Sequence, residues 1–380
     1  MRSHECERGT HECVRHGRLL GLLVASAFTA SAANINIDFP KDSPVVLLAD
    51  DHGDSSETAR GGAMLLDLHA ALSLKNATQR RIRGVTLVVT AQDVTPGGKG
   101  SVTITSLDVG PNETFPVRID LRLLRPLQVS SNLPVRIGLD GVLFEDLSFY
   151  GPDKLSSRRT MTLSEWEARR DRKYFKSLLA EGGPERLRQE VVESLAHQAD
   201  RPSLDVQVMR GGRATNLEPE KQLQFAFLQL PDAPVEPTEG MARIAGNEAR
   251  APRLEVKNRS DRAIRYLEMG WILHDRGGRE FLAGSVPAEL NLAPGQSSKI
   301  LESATLKFPQ RGSQPLNIEA MTGFVSSVEF SDGSVWIPSR TDLGTPELQR
   351  VIAPSAEEQR LVQIYRKKGL PALVAELNRF

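Results

Sequence analysis

The stretch Leu72-Ser-Leu-Lys-Asn-Ala-Thr-Gln-Arg-Arg-Ile-Arg-Gly-Val-Thr-Leu-Val-Val89 has a counterpart in Leu254-Glu-Val-Lys-Asn-Arg-Ser-Asp-Arg-Ala-Ile-Arg-Tyr-Leu-Glu-Met-Gly-Trp271. Each runs alternating apolar positions into a Lys-Asn-x-(Ser/Thr) turn, at Asn76 and Asn258, and starts a second alternating run at Ile82 and Ile264. Alternation at period two puts successive side chains on opposite faces, as a half-buried strand requires. Asn, Ser and Thr suit the turn because their short polar side chains hydrogen-bond nearby backbone. Each copy therefore reads as two strands of a β-sandwich.

Two further landmarks follow each copy. Gly110-Pro-Asn-Glu-Thr114 and Pro294-Gly-Gln-Ser-Ser298 read as turns before an outgoing strand, and Asn-to-Pro spacing is 35 residues in one copy (76 to 111) and 36 in the other (258 to 294). Asp140-Gly141 and Asp332-Gly333 then read as hairpin turns before Val-Leu-Phe144 and Ser-Val-Trp336. The order predicts two copies of one module, with Asn76 on Asn258 and Asp140 on Asp332. Two sandwiches sharing only generic turns are the other reading.

At these residues the chain resembles the small immunoglobulin-like modules of bacterial exported proteins, including the FxLYD type. Val256-Lys-Asn258 with Asp275-Arg-Gly-Gly278 fits that outline, and Leu74-Lys-Asn76 with Asp93 fits it more loosely; the literal Phe-x-Leu-Tyr-Asp signature is absent. The resemblance covers about half the chain and implies binding, spacer or assembly elements with no catalytic residues.

Elsewhere the pattern becomes helical. Thr162-Leu-Ser-Glu165 reads as a capping box, Leu163, Trp166, Tyr174 and Leu178 share a face, and Arg169, Arg170, Arg172 and Lys173 crowd the others. Gly182-Gly183-Pro184 stops that helix and opens a second, carrying Leu187, Val191 and Leu195. Ser355-Ala-Glu-Glu358 caps a tail of two short helices, expected on the second sandwich. The fold class expected is mainly β, with two immunoglobulin-like β-sandwich domains, a helical hairpin between them and short C-terminal helices. Its divisions are a leader over 1–32, a first sandwich over 34–160, the hairpin over 161–200, a second sandwich over 201–345 and helices over 354–380.

The start of the chain speaks to location. Arg15-His-Gly-Arg18 is basic, Leu19 to Thr29 is apolar, and Ala30-Ser31-Ala32 is a small-x-small cleavage pattern. That order reads as a secretory signal peptide, and the apolar run is shorter than the ~20 residues of a membrane span. Export to the periplasm or outside is expected, without a stable transmembrane span after processing. His4, Cys6, His11 and Cys13 lie upstream. They match no familiar finger spacing, and a start at Val14 accounts for them instead of a zinc site. Both cysteines fall in the leader, so the mature chain is expected to carry no disulfide.

Lys+Arg and Asp+Glu balance at 48 each and aromatics are 5%, which gives no basic field or stacking surface for nucleic acid. Gly-x-Ser-x-Gly and His-Glu-x-x-His are both missing, so neither a nucleophile elbow nor a zincin helix is present. His274 and Asp275 are adjacent on a strand and face opposite sides, so their expected role is a strand end entering a turn. No catalytic, cofactor-binding or metal-ligating residue is assigned. The expected function is an exported binding or structural protein of the cell envelope, its partner a protein or envelope component met by the loop from Lys154 to Arg159 or by strand addition at an edge. The alternative is an envelope polysaccharide hydrolase using carboxylates such as Asp50, Asp51 or Asp54. Trp271 and Trp336 are expected in the second core rather than on a sugar platform.

Overall fold

The computed structural model describes residues 31–32, 34–93, 97–126, 134–198, 203–204, 206–210, 219–302, 304–308 and 316–380. The basic and apolar parts of the leader, both cysteines and the alternative start at Val14 lie outside the described residues. The fold is mainly β.

The first unit contains β1 (Ser31–Ala32), β2 (Ile35–Asp38), β3 (Val45–Asp51), β4 (Ser56–Arg60), β5 (Ala63–Asn76), β6 (Ile82–Thr90), β7 (Lys99–Ile104), β8 (Thr114–Pro126), β9 (Val135–Phe144) and β10 (Phe149–Tyr150). In one sheet β5 carries β8 along one edge and β3 followed by β4 along the other, with β1 beyond β4. In the other, β6 lies between β7 and β9, and β9 takes β10 antiparallel and β2 parallel. The sheets enclose one core. Leu66, Leu68, Leu72 and Leu74 enter from β5, Val85, Leu87 and Val89 from β6, and Val117 and Ile119 from β8. Each fully buried Leu stabilises by about 1.5–3 kcal/mol.

The second unit contains β11 (Ser203–Leu204), β12 (Gln207–Arg210), β13 (Lys221–Gln224), β14 (Ala226–Phe227), β15 (Val235–Ala245), β16 (Glu248–Asn258), β17 (Ile264–Asp275), β18 (Glu280–Leu292), β19 (Ser297–Ile300), β20 (Ala304–Lys307), β21 (Ile318–Phe330) and β22 (Val335–Trp336). Its pairings repeat those of the first. β16 takes β15 on one edge and β19 then β20 on the other, as β5 takes β3 and β8. β17 lies between β18 and β21, as β6 lies between β7 and β9. β14 runs parallel to β21 as β2 does to β9. Register shifts also recur, after Ile82 and Thr86 in one unit and after Ile264 and Glu268 in the other.

The Asn turns share their main bonds, Asn76 adding one to Val109 O at 3.2 Å. Asn76 Nδ2 donates to Arg80 O at 2.7 Å and Gly110 O at 3.0 Å, and its Oδ1 accepts from Thr78 N at 2.9 Å. Asn258 Nδ2 donates to Arg262 O at 2.7 Å and Leu292 O at 3.0 Å, and its Oδ1 accepts from Ser260 N at 2.9 Å. The turns after Pro111 and Pro294 meet the Asn carbonyls through Asn112 N and Gly295 N, each at 3.0 Å. Both residues are left-handed, at φ 62 and 73. Asn tolerates that region through local hydrogen bonding and Gly through its missing Cβ.

Asp140 does not match Asp332. Asp140-Gly141 lies within β9, where Gly141 pairs with Thr86. The first unit turns instead at Asp146-Leu147, whose Oδ1 accepts from Ser148 N at 3.0 Å, as Asp332 accepts from Ser334 N at 2.9 Å. Leu147 and Gly333 share a positive φ, 64 and 81. The Asp-Gly dipeptide gave the wrong hairpin because Leu147 occupies the left-handed position that normally selects Gly.

The described residues also form five helices: α1 (Ser157–Gln198), α2 (Arg340–Leu343), α3 (Pro346–Val351), α4 (Ala356–Lys368) and α5 (Leu370–Leu377). α1 breaks at Gly183 (φ 68, ψ −172), giving the hairpin. Its start corrects the expected capping box at Thr162, since α1 begins at Ser157 and Asp140 binds that end. Lys154 N and Leu155 N donate to the Asp140 carboxylate at 3.0 and 3.2 Å, and Ser157 Oγ at 2.5 Å. A carboxylate at this end is favoured by the unpaired amides and the helix dipole. The tail also differs from expectation. Leu361, Val362, Leu373 and Leu377 of α4 and α5 bury with Phe175, Leu187 and Val191 of α1, making a separate helical core.

Candidate functional site

Helix α1 joins the two units through matching sheet faces. Met161 lies against Gly84 on β6, where an added Cβ would stand 2.7 Å from the Met161 sulfur. The corresponding residue on β17 is Tyr266, and the Arg159 guanidinium stacks 3.6 Å from its ring centroid while bonding Glu329 at 2.7 Å. This contact explains why β6 reads as a continuous buried run rather than an alternating one: its outer face is covered by the helix. The loop from Lys154 to Arg159, expected to meet a partner, is the start of this joint.

Charged side chains bury beside it. Glu165 is 2% exposed and accepts from Arg169 at 2.9 Å and Arg172 at 2.8 Å. Asp171, fully buried, binds Arg170 at 2.9 Å and Ser355 Oγ at 2.5 Å. Glu357 pairs with Arg360 at 2.8 Å. Glu358 accepts from Arg340 and from Ser194 Oγ, each at 2.6 Å. Of the basic residues on this stretch of α1, Arg172 is buried, Arg169 and Arg170 are half-buried and Lys173 is exposed. Each arginine fork needs a carboxylate to offset its desolvation. The chain end closes over the same place. Arg379 reaches Asp108 at 2.7 Å, and the Phe380 ring lies 4.2 Å from the Arg172 guanidinium and 5.1 Å from that of Arg83.

Between α1, the β17–β18–β21 sheet and α2 to α4 lies a cavity of about 480 Å³, within the size range of small-molecule sites. Leu282, Phe324, Leu343 and Ile352 form apolar wall; Glu167, Arg170, Tyr174, Glu190 and Arg340 supply polar groups. Burial raises the Glu167 carboxyl, and Asp171 and Glu268 add to the shift against the opposing pull of Arg170. Burial and a hydrogen bond with Glu190 push the Tyr174 hydroxyl up to about 12. Arg340 and Arg170 are already bound to carboxylates, Glu358 and Asp171.

The expected acidic cluster lies elsewhere. Asp50, Asp51 and Asp54 flank a loop between β3 and β4, where Ser55 Oγ donates to His69 O at 2.8 Å and accepts from His69 N at 2.9 Å. Asp50 binds His52 at 2.6 Å and Asp51 caps Gly53 N at 3.0 Å. None of the three lines the cavity, and among the described residues no three His, Cys, Asp or Glu side chains are placed to hold a metal ion. His274 meets Glu280 at 3.5 Å, while Asp275 accepts from Gly277 N and Arg279 N, each at 2.9 Å, as a turn-forming residue. Trp271 is fully buried, edge-on to Phe225 at 4.8 Å; Trp336 is half-buried. The segment forming α2 and α3 was missed in the sequence. Ser339-x-x-Asp342 is a capping box, with Ser339 N donating to Asp342 Oδ2 at 2.8 Å, and Thr345-Pro346 opens the next helix.

Among the described residues no helix is long and apolar enough to cross a membrane. No family model matches the chain, and no curated protein sequence does. Among solved structures, vicilin from Corylus avellana (hazelnut) aligns at 10% identity over 72% of this chain and 84% of its own, with a TM-score of 0.06, which carries no argument about fold or function.

Proposed function

We propose that this chain is an exported, non-catalytic binding or assembly protein of the cell envelope, acting through two immunoglobulin-like modules held at a fixed spacing. The observation that carries the reading is the joint: α1 packs on equivalent faces of both units, its Arg159 pairs with Glu329 on β21, its Arg172 with Glu165 on α1 and Glu357 on α4, and its Asp171 with Arg340 on α2. A joint of that kind suits a scaffold that presents two surfaces in constant register. The absence of the acidic loop from the cavity weighs against a polysaccharide hydrolase built on Asp50, Asp51 and Asp54.

Proximity labelling in the intact envelope, followed by pull-down with the purified chain, tests the proposal. One reproducible envelope partner is expected, with N-terminal sequencing of the mature protein beginning near Ala33 or Asn34. Recovery of an uncleaved chain from cytosol would reject export. Glycan turnover that disappears on replacing Asp50, Asp51 and Asp54 by Asn would reject the non-catalytic reading.

A further inference from the structure

The two units differ at one sheet edge. In the second, β12 pairs antiparallel along the outer edge of β20, from Gln207 opposite Lys307 to Arg210 opposite Ala304. The matching edge in the first unit belongs to β8. That strand pairs with β5 over its whole length, Thr114 opposite Lys75 through Pro126 opposite Ala63. Among the described residues no strand pairs with its other edge.

In an antiparallel ladder the N–H and C=O of one residue point to the same side, and alternate residues point to opposite sides. Leu124 N donates to Gly97 O at 2.7 Å, away from β5, which makes the even-numbered residues of β8 the outward-facing ones. Pro116 and Pro126 share that parity, where a missing N–H removes no bond to β5. Between Pro116 and Leu124, the outward backbone groups are those of Arg118, Asp120 and Arg122. Their side chains stand on the exposed face of the sheet with alternating sign. Asp120 binds His69 at 2.8 Å and Arg122 binds Asp67 at 3.0 Å, while Arg118 forms no ion pair among the described residues.

We infer that β8 is a self-association edge on which a second copy of this chain lays its own β8 antiparallel, about a two-fold axis at Ile119. Hydrogen bonding requires even residues to face even residues, and charge then selects among the three central registers. A centre at Asp120 places Asp120 against Asp120 and Arg118 against Arg122, pairing like charges. A centre at Leu121 needs the Leu124 N–H already given to Gly97. A centre at Ile119 sets Arg118 of each copy opposite Asp120 of the other, twice, and brings each Arg122 N–H to a Pro116 carbonyl. Edges guarded against self-pairing carry like charges, commonly Lys; this one alternates and is complementary to itself. The isologous contact closes at a dimer and is independent of the envelope partner proposed above.

Sedimentation velocity of the purified chain over a concentration series tests it. A monomer–dimer equilibrium is expected, weakened on the order of tenfold or more by Arg118→Asp, which sets two carboxylates against each other at both symmetric positions. The double variant Arg118→Asp with Asp120→Arg restores the opposite-sign pairs and is expected to recover the dimer. Both side chains are exposed, and an unchanged thermal midpoint in each variant would show that the fold is retained. A chain that stays monomeric throughout, or a dimer indifferent to Arg118→Asp, overturns the inference. So does a monomer whose β8 edge instead takes up an extended peptide from another protein.

Discussion

The first and second units share their strand pairing yet fill the same places differently. Val89 stands opposite Ile137 in the first core, whereas the matching pair in the second is Trp271 opposite Gly323. A Cβ added at Gly323 would lie 3.1 Å from the Trp271 ring, so the large residue and the small one are chosen together. The next pair inverts the arrangement, with Val88 opposite Gly138 and Gly270 opposite Phe324. On the face toward α1, Gly84 admits Met161 and Tyr266 receives Arg159. What stays constant is hydrogen bonding of backbone that water no longer reaches; what varies is side-chain volume and which strand of a pair supplies it.

The joint offers the severest test of treating the units as separate. Arg172→Met would leave Glu165 and Glu357 buried with one fewer arginine, and a loss of about 3–5 kcal/mol is expected. Urea unfolding followed by tryptophan fluorescence and far-UV dichroism would measure it. If α1 couples the units, the single transition of the parent should separate into two.

Trp271→Ala should destabilise by about 3–5 kcal/mol, because the cavity it leaves faces a glycine. Val89→Ala, at the matching position, is expected to cost only about 2 kcal/mol. Equal losses in denaturant melts would mean the two cores do not divide their volume as described.

Asn76→Ala and Asn258→Ala probe what the units hold in common. Each leaves buried carbonyls without a donor and should cost about 1–3 kcal/mol. Losses differing by more than about a factor of two would break the equivalence of the two turns.

The smallest expected effect concerns Asp146 and Asp332. The Ser334 amide and hydroxyl, with Arg262, hold the Asp332 carboxyl down at about 2, and Ser148 lowers Asp146 in the same direction. Because the folded values lie below those of the unfolded chain, the contribution is present above the usual Asp range, near 3.8, and fades as pH falls through the folded value. Carboxyl-carbon NMR titration should find both midpoints below the ordinary Asp value. A normal Asp146 would make the turns unlike.

The alternation on either side of Asn76 and Asn258 and the glycine break at Gly183 were legible in sequence, because strand period and backbone sterics act within a few residues. So was the pairing of the Pro111 and Pro294 turns. Asp140 misled because a dipeptide cannot tell a turn from a strand whose carboxylate caps a helix 17 residues later. Nothing local marked Arg172 as buried, because one of its carboxylate partners, Glu357, lies more than 150 residues away. The candidate cavity was not legible at all, since it exists only where α1, one sheet and three short helices converge. Local pattern determined that this chain makes two similar β units and a helical hairpin. Only the tertiary structure decided which charges are buried, which sheet edge is covered and where a ligand can fit, because those depend on contacts between residues far apart in sequence, whose burial no local spacing records.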